Sequence, residues 1–270
     1  PMGSAPAREC LSGPYLLITN IGAVSEGSRI WIQELWHKDL KLHLGYIKSL
    51  VLACPVRSRA PKSDETPLDV VSSGAAVSVC GLPDPRSTLI ALFTLPVTAW
   101  SLWNAVGKAN LVHCGVAGWP LPLGWVAAPM AKLRSRPLIV VVESAPWRNA
   151  PGVPRSIRGS VRGAIYERVA RAILRLADVA FYTQAEYQRS LPVGRGGRGF
   201  VLPASWLDEE FVLSLNESEE LWRERIRSAG ERLRIAFVGR LTAAKGIVVL
   251  LDAMERVRAT GCHVRLDIFG

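Results

Sequence analysis

Short apolar runs alternate with longer amphipathic stretches along the chain, and this alternation constrains the fold more than any other feature. The apolar runs are five to eight residues long, which is the length of a strand rather than of a helix. Several are apolar at almost every position, as expected for parallel strands with helices packed on both faces. The pattern predicts an α/β fold built on a doubly wound parallel sheet.

The predicted elements follow one another in regular order. The strands are Tyr15–Thr19, Ser49–Val56, Ala75–Cys80, Ala109–Gly115, Pro137–Ser144, Val179–Thr183 and Gly199–Ser205. The helices are Ile30–Tyr46, Leu89–Gly107, Trp125–Arg134, Gly163–Ala177 and Gln184–Leu191. Ser28 precedes the first helix, where its hydroxyl suits the N-cap position.

A charged and polar stretch, Leu215–Arg234, interrupts this pattern before a new strand, IAFVG, begins. A helix at Ile247–Ala259 and a strand in HVRLDIFG follow, which makes one βαβ unit. A unit of about forty residues is too small for an independent core. We therefore predict a disordered tail at 1–14, a first domain at 15–214, a linker at 215–231 and the start of a second domain at 232–270.

The net charge of the chain limits the chemical classes of molecule that it is expected to bind. A net charge of +10 suits nucleic acid, anionic lipid or an anionic small molecule. The Arg residues are scattered and no known nucleic-acid-binding pattern accompanies them, so we predict a phosphorylated small molecule and no nucleic acid.

The cysteines and the apolar runs indicate the cellular compartment of the protein. The five Cys are far apart without a CxxC pair, as is common in a reducing cytoplasm. The N-terminal residues do not form a secretory signal. The longest apolar run, Leu89–Trp103, is interrupted by Pro96 and falls short of the roughly eighteen residues of a membrane span. We predict a cytoplasmic protein.

The stretch AFVGRLTAAKGIVVLLDAM, Ala236–Met254, is typical of a phosphate site. Gly239 permits a sharp turn after a buried strand, and Lys245–Gly246 opens a helix whose free N–H groups and positive dipole end favour an anion. Arg240 can chelate a phosphate and Lys245 adds a point charge. The alternative is that these basic side chains are simply solvated.

This stretch resembles the nucleotide-sugar loop of family-4 glycosyltransferases of the GT-B fold, which has two Rossmann-like domains. ADVAFYTQAEYQRSL and VLPASWLDEEF resemble the family's crossover into its second domain. The resemblance implies that Arg240 and Lys245 neutralise the departing donor diphosphate, with Gly239 and Gly246 shaping the loop. It also implies no metal and no cofactor, and the sequence contains no DxD pair.

The resemblance implies a complete first domain and a truncated second one, so we expect the 270-residue chain alone to be inactive. The implied function is transfer of a sugar, with retention, from a nucleotide-diphospho-sugar to a carbohydrate, lipid or small-molecule acceptor. Two alternatives stay open: a non-catalytic half that binds a glycan or a partner chain, and a sugar-nucleotide epimerase of the same fold.

Two residues of the first domain are candidates for catalysis. Glu143 follows a strand at the position where the family commonly has a His, and it could orient a donor hydroxyl or accept a proton. Its structural alternative is an ion pair with Arg148. His113 ends the previous strand, LVHCG, where it is either a ligand or a structural hydrogen-bonding residue.

The loops after these strands carry aromatic side chains that can stack on a sugar ring. Trp119, Trp147 and Arg148 are the candidate acceptor or loop contacts, and Trp125 lies nearby; at least one indole is expected only to pack its loop. In TNIGAVSEGSRIW, Gly22 and Gly27 match the family's glycine-rich loop, or are only turn residues.

The most basic stretch is Arg155–Ala177, where Arg side chains share one face of a predicted helix. The ordinary interpretation is a helix that packs on the sheet with a solvated Arg edge. The alternative is peripheral contact of Arg155–Arg175 with an anionic membrane at its inner face.

Overall fold

The computed structural model describes residues 11–68, 76–118, 120–148, 156–203, 209–228, 233–239, 241–242 and 245–270. The chain divides into two compact units, residues 1–205 and 206–270. The division falls before the predicted linker rather than inside it.

A parallel sheet organises the first unit. Seven of its strands, the longest of them the twelve-residue β4, match the seven predicted strands: β1 Leu11–Ile18, β4 Ile47–Ser58, β6 Ala76–Leu82, β7 Leu111–Gly115, β8 Leu138–Val142, β9 Val179–Tyr182 and β10 Arg198–Val201. They lie in the order β6-β4-β1-β7-β8-β9-β10 and pair in parallel throughout. This is a Rossmann-like, doubly wound arrangement, as predicted.

The strands bury side chains on both faces of the sheet, which explains their nearly continuous apolar sequences. Leu16 and Leu17 are consecutive in β1 and both buried, yet they belong to different cores. In β4, the consecutive residues Ala53 and Cys54 also belong to different cores. Each face must therefore be covered by other elements.

Among the described residues, one helix covers the first face and four cover the second. On the first face, α1 (Glu34–Leu44) buries Trp36 and Leu40. The second face is covered by α2 (Thr88–Lys108), α3 (Gly124–Leu133), α4 (Ile157–Leu176) and α5 (Ala185–Ser190). These match the predicted helices in place, although α4 begins six residues before the predicted Gly163.

Side chains close the first turns of α2 and α4. The Ser87 hydroxyl accepts a hydrogen bond from the Ile90 amide at 3.3 Å, and the Ser156 hydroxyl accepts one from the Gly159 amide at 3.1 Å. Each satisfies an amide that a helix start would leave unpaired. The helix α2 also continues through Pro96.

The predicted start of the first helix is wrong. Residues after β1 form a hairpin, β2 (Ala23–Glu26) and β3 (Arg29–Gln33), and α1 begins only at Glu34. Ser28 is therefore a turn residue and not an N-cap. The β3 strand also pairs with β5 (Glu65–Pro67), and this ladder outweighs the helical periodicity that the sequence shows.

The predicted tail also needs correction. β1 begins at Leu11, so residues 11–14 are part of the sheet rather than of a disordered tail. The Leu11 amide donates to the Tyr46 carbonyl at 2.9 Å, and the Asn110 amide donates to the Pro14 carbonyl at 2.9 Å. Residues 1–10 lie outside the described part.

The second unit contains the predicted βαβ motif. β11 (Leu233–Val238) and β12 (Val264–Phe269) pair in parallel, and α7 (Ile247–Ala259) connects them. The helix α6 (Leu215–Ser228) occupies most of the predicted linker. Val238 and Phe269 are exposed, so these two strands lack the two-sided cover of the first sheet.

By length and apolar composition alone, α2 could cross a membrane; no other helix of the described chain meets that test. Its 21 residues exceed the apolar run from which we predicted no span. In the fold, α2 lies on the sheet with Leu102 and Val106 buried, and most of its apolar residues stay uncovered.

Candidate functional site

All seven parallel strands end at the same edge of the first sheet, which we call the carboxyl edge. Ligands of open α/β sheets bind outside this edge. A cleft lies there beside Asn20. It is also lined by Pro83 and Asp84, which follow β6, and by Thr94 of α2. This edge is the candidate site of the first unit.

Asn20, two residues after β1, holds the loop that follows β7. Its amide Nδ2 donates to the Leu121 carbonyl at 2.9 Å, and its Oδ1 accepts from the Leu123 amide at 3.0 Å. Gly118 lies against it, since a Cβ there would stand 2.2 Å from Oδ1. Asn20 was not among the predicted site residues. The sequence distinguishes it only as a polar residue directly after the predicted strand Tyr15–Thr19.

Glu143 lies at the carboxyl edge, one residue after β8, with its side chain open to solvent on one side. The Thr183 hydroxyl donates to its backbone carbonyl at 2.9 Å. Desolvation raises the pKa of its carboxyl, and the negative charge of Asp39 on α1 adds to the rise. A carboxyl with a raised pKa holds a proton more readily than an exposed one does, which is a property of catalytic acids and bases.

The predicted Glu143–Arg148 ion pair is wrong. Arg148 binds Glu167 of α4 through two hydrogen bonds, Nε to Oε2 at 2.9 Å and Nη2 to Oε1 at 2.7 Å. Its Nη1 donates to the Ser190 hydroxyl of α5 at 2.8 Å. The loop after β8 is thereby tied to two helices, and Glu143 is left without this partner.

Glu167 is the centre of this network. Besides Arg148, the indole Nε1 of Trp147 donates to Oε2 at 2.8 Å and Arg171 donates to Oε1 at 3.0 Å. These hydrogen bonds outweigh its desolvation and lower the pKa of Glu167 to about 2. Glu167 was not among the predicted site residues, because two of its partners, Trp147 and Arg148, lie about twenty residues away in the sequence.

Trp147 is a packing residue rather than an open platform. It is only 8 % exposed, and its ring lies 5.8 Å from that of Tyr166 between centroids. Trp125 packs edge-on against the same Tyr166 at 4.6 Å and donates to the Val116 carbonyl. The packing alternative thus describes both indoles, while Trp119 lies outside the described residues.

His113 lies in the middle of β7, not at its end. Its Nδ1 shares a hydrogen bond of 2.6 Å with the hydroxyl of Tyr15 on the neighbouring strand. Burial, together with the charge of His43, lowers its pKa to about 3, so the ring is neutral at pH 7. This is the environment of a structural hydrogen-bonding residue, the second of the two predicted roles.

The two glycines after β1 do not open a helix. Gly27, with φ +61°, is the first residue of the two-residue hairpin turn between β2 and β3. Gly22 is exposed, and a Cβ there would make only ordinary contact, 3.6 Å from the Pro55 carbonyl. The hairpin separates both residues from the N-terminus of α1. Gly27 is therefore a turn residue, the second of the two roles predicted for it.

In the second unit, the predicted strand, glycine turn and helix are all present. Gly239 follows β11 with φ +150° and donates to the Phe269 carbonyl at 2.9 Å. Gly246 has the left-handed φ of +79° and is the N-cap of α7. Lys245 is exposed beside it, whereas Arg240 lies outside the described residues.

The start of α7 can therefore receive an anion. Gly246 has no side chain with which to cap the first helical amides, and its position as N-cap carries no side-chain hydrogen bond. No acidic residue occurs in the first turn of α7, and the positive end of its dipole adds to the charge of Lys245. These are the features of a phosphate-binding helix start.

Over the described ranges, no cluster of three or more His, Cys, Asp or Glu side chains is arranged to hold a metal ion. The prediction that catalysis requires no metal stays a prediction.

No protein-family model matches the sequence, and no curated protein matches it. Solved structures are similar at low identity, among them the following three. A sucrose-phosphate synthase from Thermosynechococcus elongatus aligns with 79 % of this chain and 99 % of its own, at 16 % identity and a TM-score of 0.43.

The second is named as a UDP-N-acetylglucosamine 2-epimerase from Listeria monocytogenes, with 94 % of this chain and 62 % of that one aligned, at 10 % identity and a TM-score of 0.42. The third, a UGT transferase from Siraitia grosvenorii in complex with UDP, aligns over 85 % and 60 %, at 10 % identity and a TM-score of 0.38. The chain spans about three fifths of the last two proteins.

We expect Glu167→Gln to lower the free energy of unfolding at pH 7 by about 1–3 kcal/mol, because it weakens hydrogen bonds to two guanidinium groups. A carboxyl whose pKa is lowered by folding stabilises the fold above its unfolded pKa and loses that effect as pH falls. The wild type should therefore lose stability between about pH 4.5 and pH 2, and the variant should not lose this part. Urea unfolding across this pH range measures both effects.

The matched control is Glu186→Gln, which removes an exposed carboxylate paired with Arg189 three residues away. Its effect should stay within about 0.5 kcal/mol. Equal losses from the two variants would contradict the central role of Glu167.

The charge of Asp39 gives a second prediction. Asp39→Asn should lower the pKa of Glu143 toward its ordinary value without restoring it fully, since desolvation is the larger cause. Carboxyl-carbon NMR titration of Glu143 measures this pKa. The control is Glu34→Gln, which removes a carboxylate from the first residue of α1 and should leave the pKa of Glu143 unchanged. If Asp39→Asn also leaves this pKa unchanged, the charge of Asp39 does not act on Glu143.

Proposed function

We propose that this protein is a glycosyltransferase that takes its donor sugar from a nucleoside diphosphate. The observation that carries the proposal is the β11–Gly239–α7 unit, where a left-handed Gly246 without a side-chain cap begins α7 beside Lys245. The resemblance of this stretch to the family-4 nucleotide-sugar loop supports a diphosphate rather than another anion. Donor sugar, base and acceptor are not specified by these residues.

In the proposed reaction, the bond between the anomeric carbon and the diphosphate oxygen breaks, and the acceptor hydroxyl oxygen forms the new glycosidic bond. Negative charge develops on the leaving diphosphate, where Arg240, Lys245 and the first amides of α7 would stabilise it. The acceptor hydroxyl loses its proton, and we assign its uptake to Glu143, whose raised pKa suits that role. Retention of configuration remains the expectation of the resemblance.

Three finer assignments belong to the same proposal. The reaction would need no metal or cofactor, because basic side chains neutralise the diphosphate. The acceptor would bind at the carboxyl edge of the first unit, and the protein would work in the cytoplasm. Contact of Arg155–Arg175 with an anionic membrane is retained as the alternative to a solvated Arg edge.

Calorimetric titration of the 270-residue chain with UDP, GDP and ADP tests the proposal. We expect one nucleoside diphosphate to bind at least about tenfold more tightly than its monophosphate, a difference of about 1.4 kcal/mol. Arg240→Ala with Lys245→Ala should abolish this binding, because both charges that neutralise the phosphates are removed.

The matched control is Arg256→Ala with Arg258→Ala, which removes the same charge from the last turn of α7. It should bind as the wild type does. Equal weakening by both pairs would indicate attraction by overall charge alone, and the proposal would fail. Specific binding without release of sugar from any nucleotide sugar would instead favour the binding module.

A further inference from the structure

The outward face of α2 is a row of large apolar side chains. Leu89, Phe93, Val97 and Trp100 are spaced so that they fall within one side of the helix, and each is 58–84 % exposed. The opposite side packs on the sheet through Leu102 and Val106. Single exposed apolar residues are ordinary, but a contiguous row with two aromatic rings marks an interaction surface.

A second apolar row lies on α4. Ile157, Val161 and Ile165 are exposed at intervals of four residues, opposite the buried Ala170 and Leu174. α3 packs against both α2 and α4, and its exposed Leu133 lies on the same layer. Three neighbouring helices thus present apolar residues away from the sheet; we call this the α2–α4 face.

Basic residues predominate in this layer. The helices α2, α3 and α4 contain seven basic residues, Lys108, Lys132, Arg158, Arg162, Arg168, Arg171 and Arg175, and one acidic residue, Glu167. Glu167 is occupied by Arg148 and Arg171. On the other face of the sheet, α1 has two acidic and two basic residues, so its net charge is zero when His is neutral.

We propose that the α2–α4 face binds the surface of an anionic bilayer. The α2 row would enter the boundary between headgroups and acyl chains, and exposed Arg158 and Arg162 beside the α4 row would contact lipid phosphates. α2 would lie in the interface and not cross it, because its other side is part of the core. An exposed indole at Trp100 suits the interface, where an apolar ring and a polar N–H are both accommodated.

Charge complementarity is the reason to prefer lipid over a protein partner. A protein that covered this face would have to match a row of aliphatic and aromatic side chains and the exposed positive charges of Arg158 and Arg162. An anionic bilayer supplies both an apolar layer and a dense negative surface without further specificity. The inference does not depend on the proposed transferase activity.

Vesicle flotation of the 270-residue chain tests it. We expect binding to phosphatidylcholine vesicles containing about 30 % phosphatidylglycerol, and at least about tenfold weaker binding to pure phosphatidylcholine. Phe93→Ser with Trp100→Ser should reduce binding to the anionic vesicles about tenfold or more, because the inserted rings are lost. Arg158→Gln with Arg162→Gln should remove the preference for anionic lipid.

Leu35→Ser with Leu42→Ser is the matched control, since both side chains are about two thirds exposed on α1. This pair should bind vesicles as the wild type does, and all variants should unfold at the wild-type temperature. The proposal is overturned if the anionic vesicles bind no protein, or if the α2 and α1 pairs weaken binding equally. It is also overturned if sedimentation shows a dimer that Phe93→Ser with Trp100→Ser converts to monomer, since a second copy then occupies the face.

Discussion

The structure of the first unit depends on a parallel sheet that buries apolar side chains on both faces. Neighbouring residues such as Leu16 and Leu17 face different cores, so neither face can be left to water. One helix covers one face and four cover the other, and every crossover begins at the same edge. That edge therefore collects the carboxyl ends of the parallel strands and the loops that follow them, which is where ligands of open α/β sheets bind.

Two polar contacts give this edge its shape. Asn20 fixes the loop after β7 through two backbone hydrogen bonds, and Glu167 fixes the loop after β8 through Trp147 and Arg148. Both are buried or half-buried anchors that use several hydrogen bonds at once, and such networks rigidify a site. Glu143 is next to the second anchor without being part of it, which leaves its carboxyl available for proton transfer.

The seven parallel strands could be predicted because a strand that is buried on both faces of its sheet is apolar at nearly every position. Prediction from the sequence failed at Ile30–Gln33, where the hairpin pairs with β5, a partner more than thirty residues away. It also failed for Arg148 and Trp147, because a carboxylate distant in sequence decides their orientation. Asn20 and Glu167 escaped selection for the same reason: their roles are defined by tertiary partners and not by neighbours in the chain.

The start of α7 is the site that we propose for the nucleoside diphosphate. Hydrogen–deuterium exchange of the 270-residue chain, with and without the nucleoside diphosphate that binds best, tests it directly. The account predicts slower exchange of the amides from Gly239 to Val249, which the bound phosphates would protect, and no comparable change at the C-terminal end of α7. Unchanged exchange in that segment at saturating nucleotide would contradict the account.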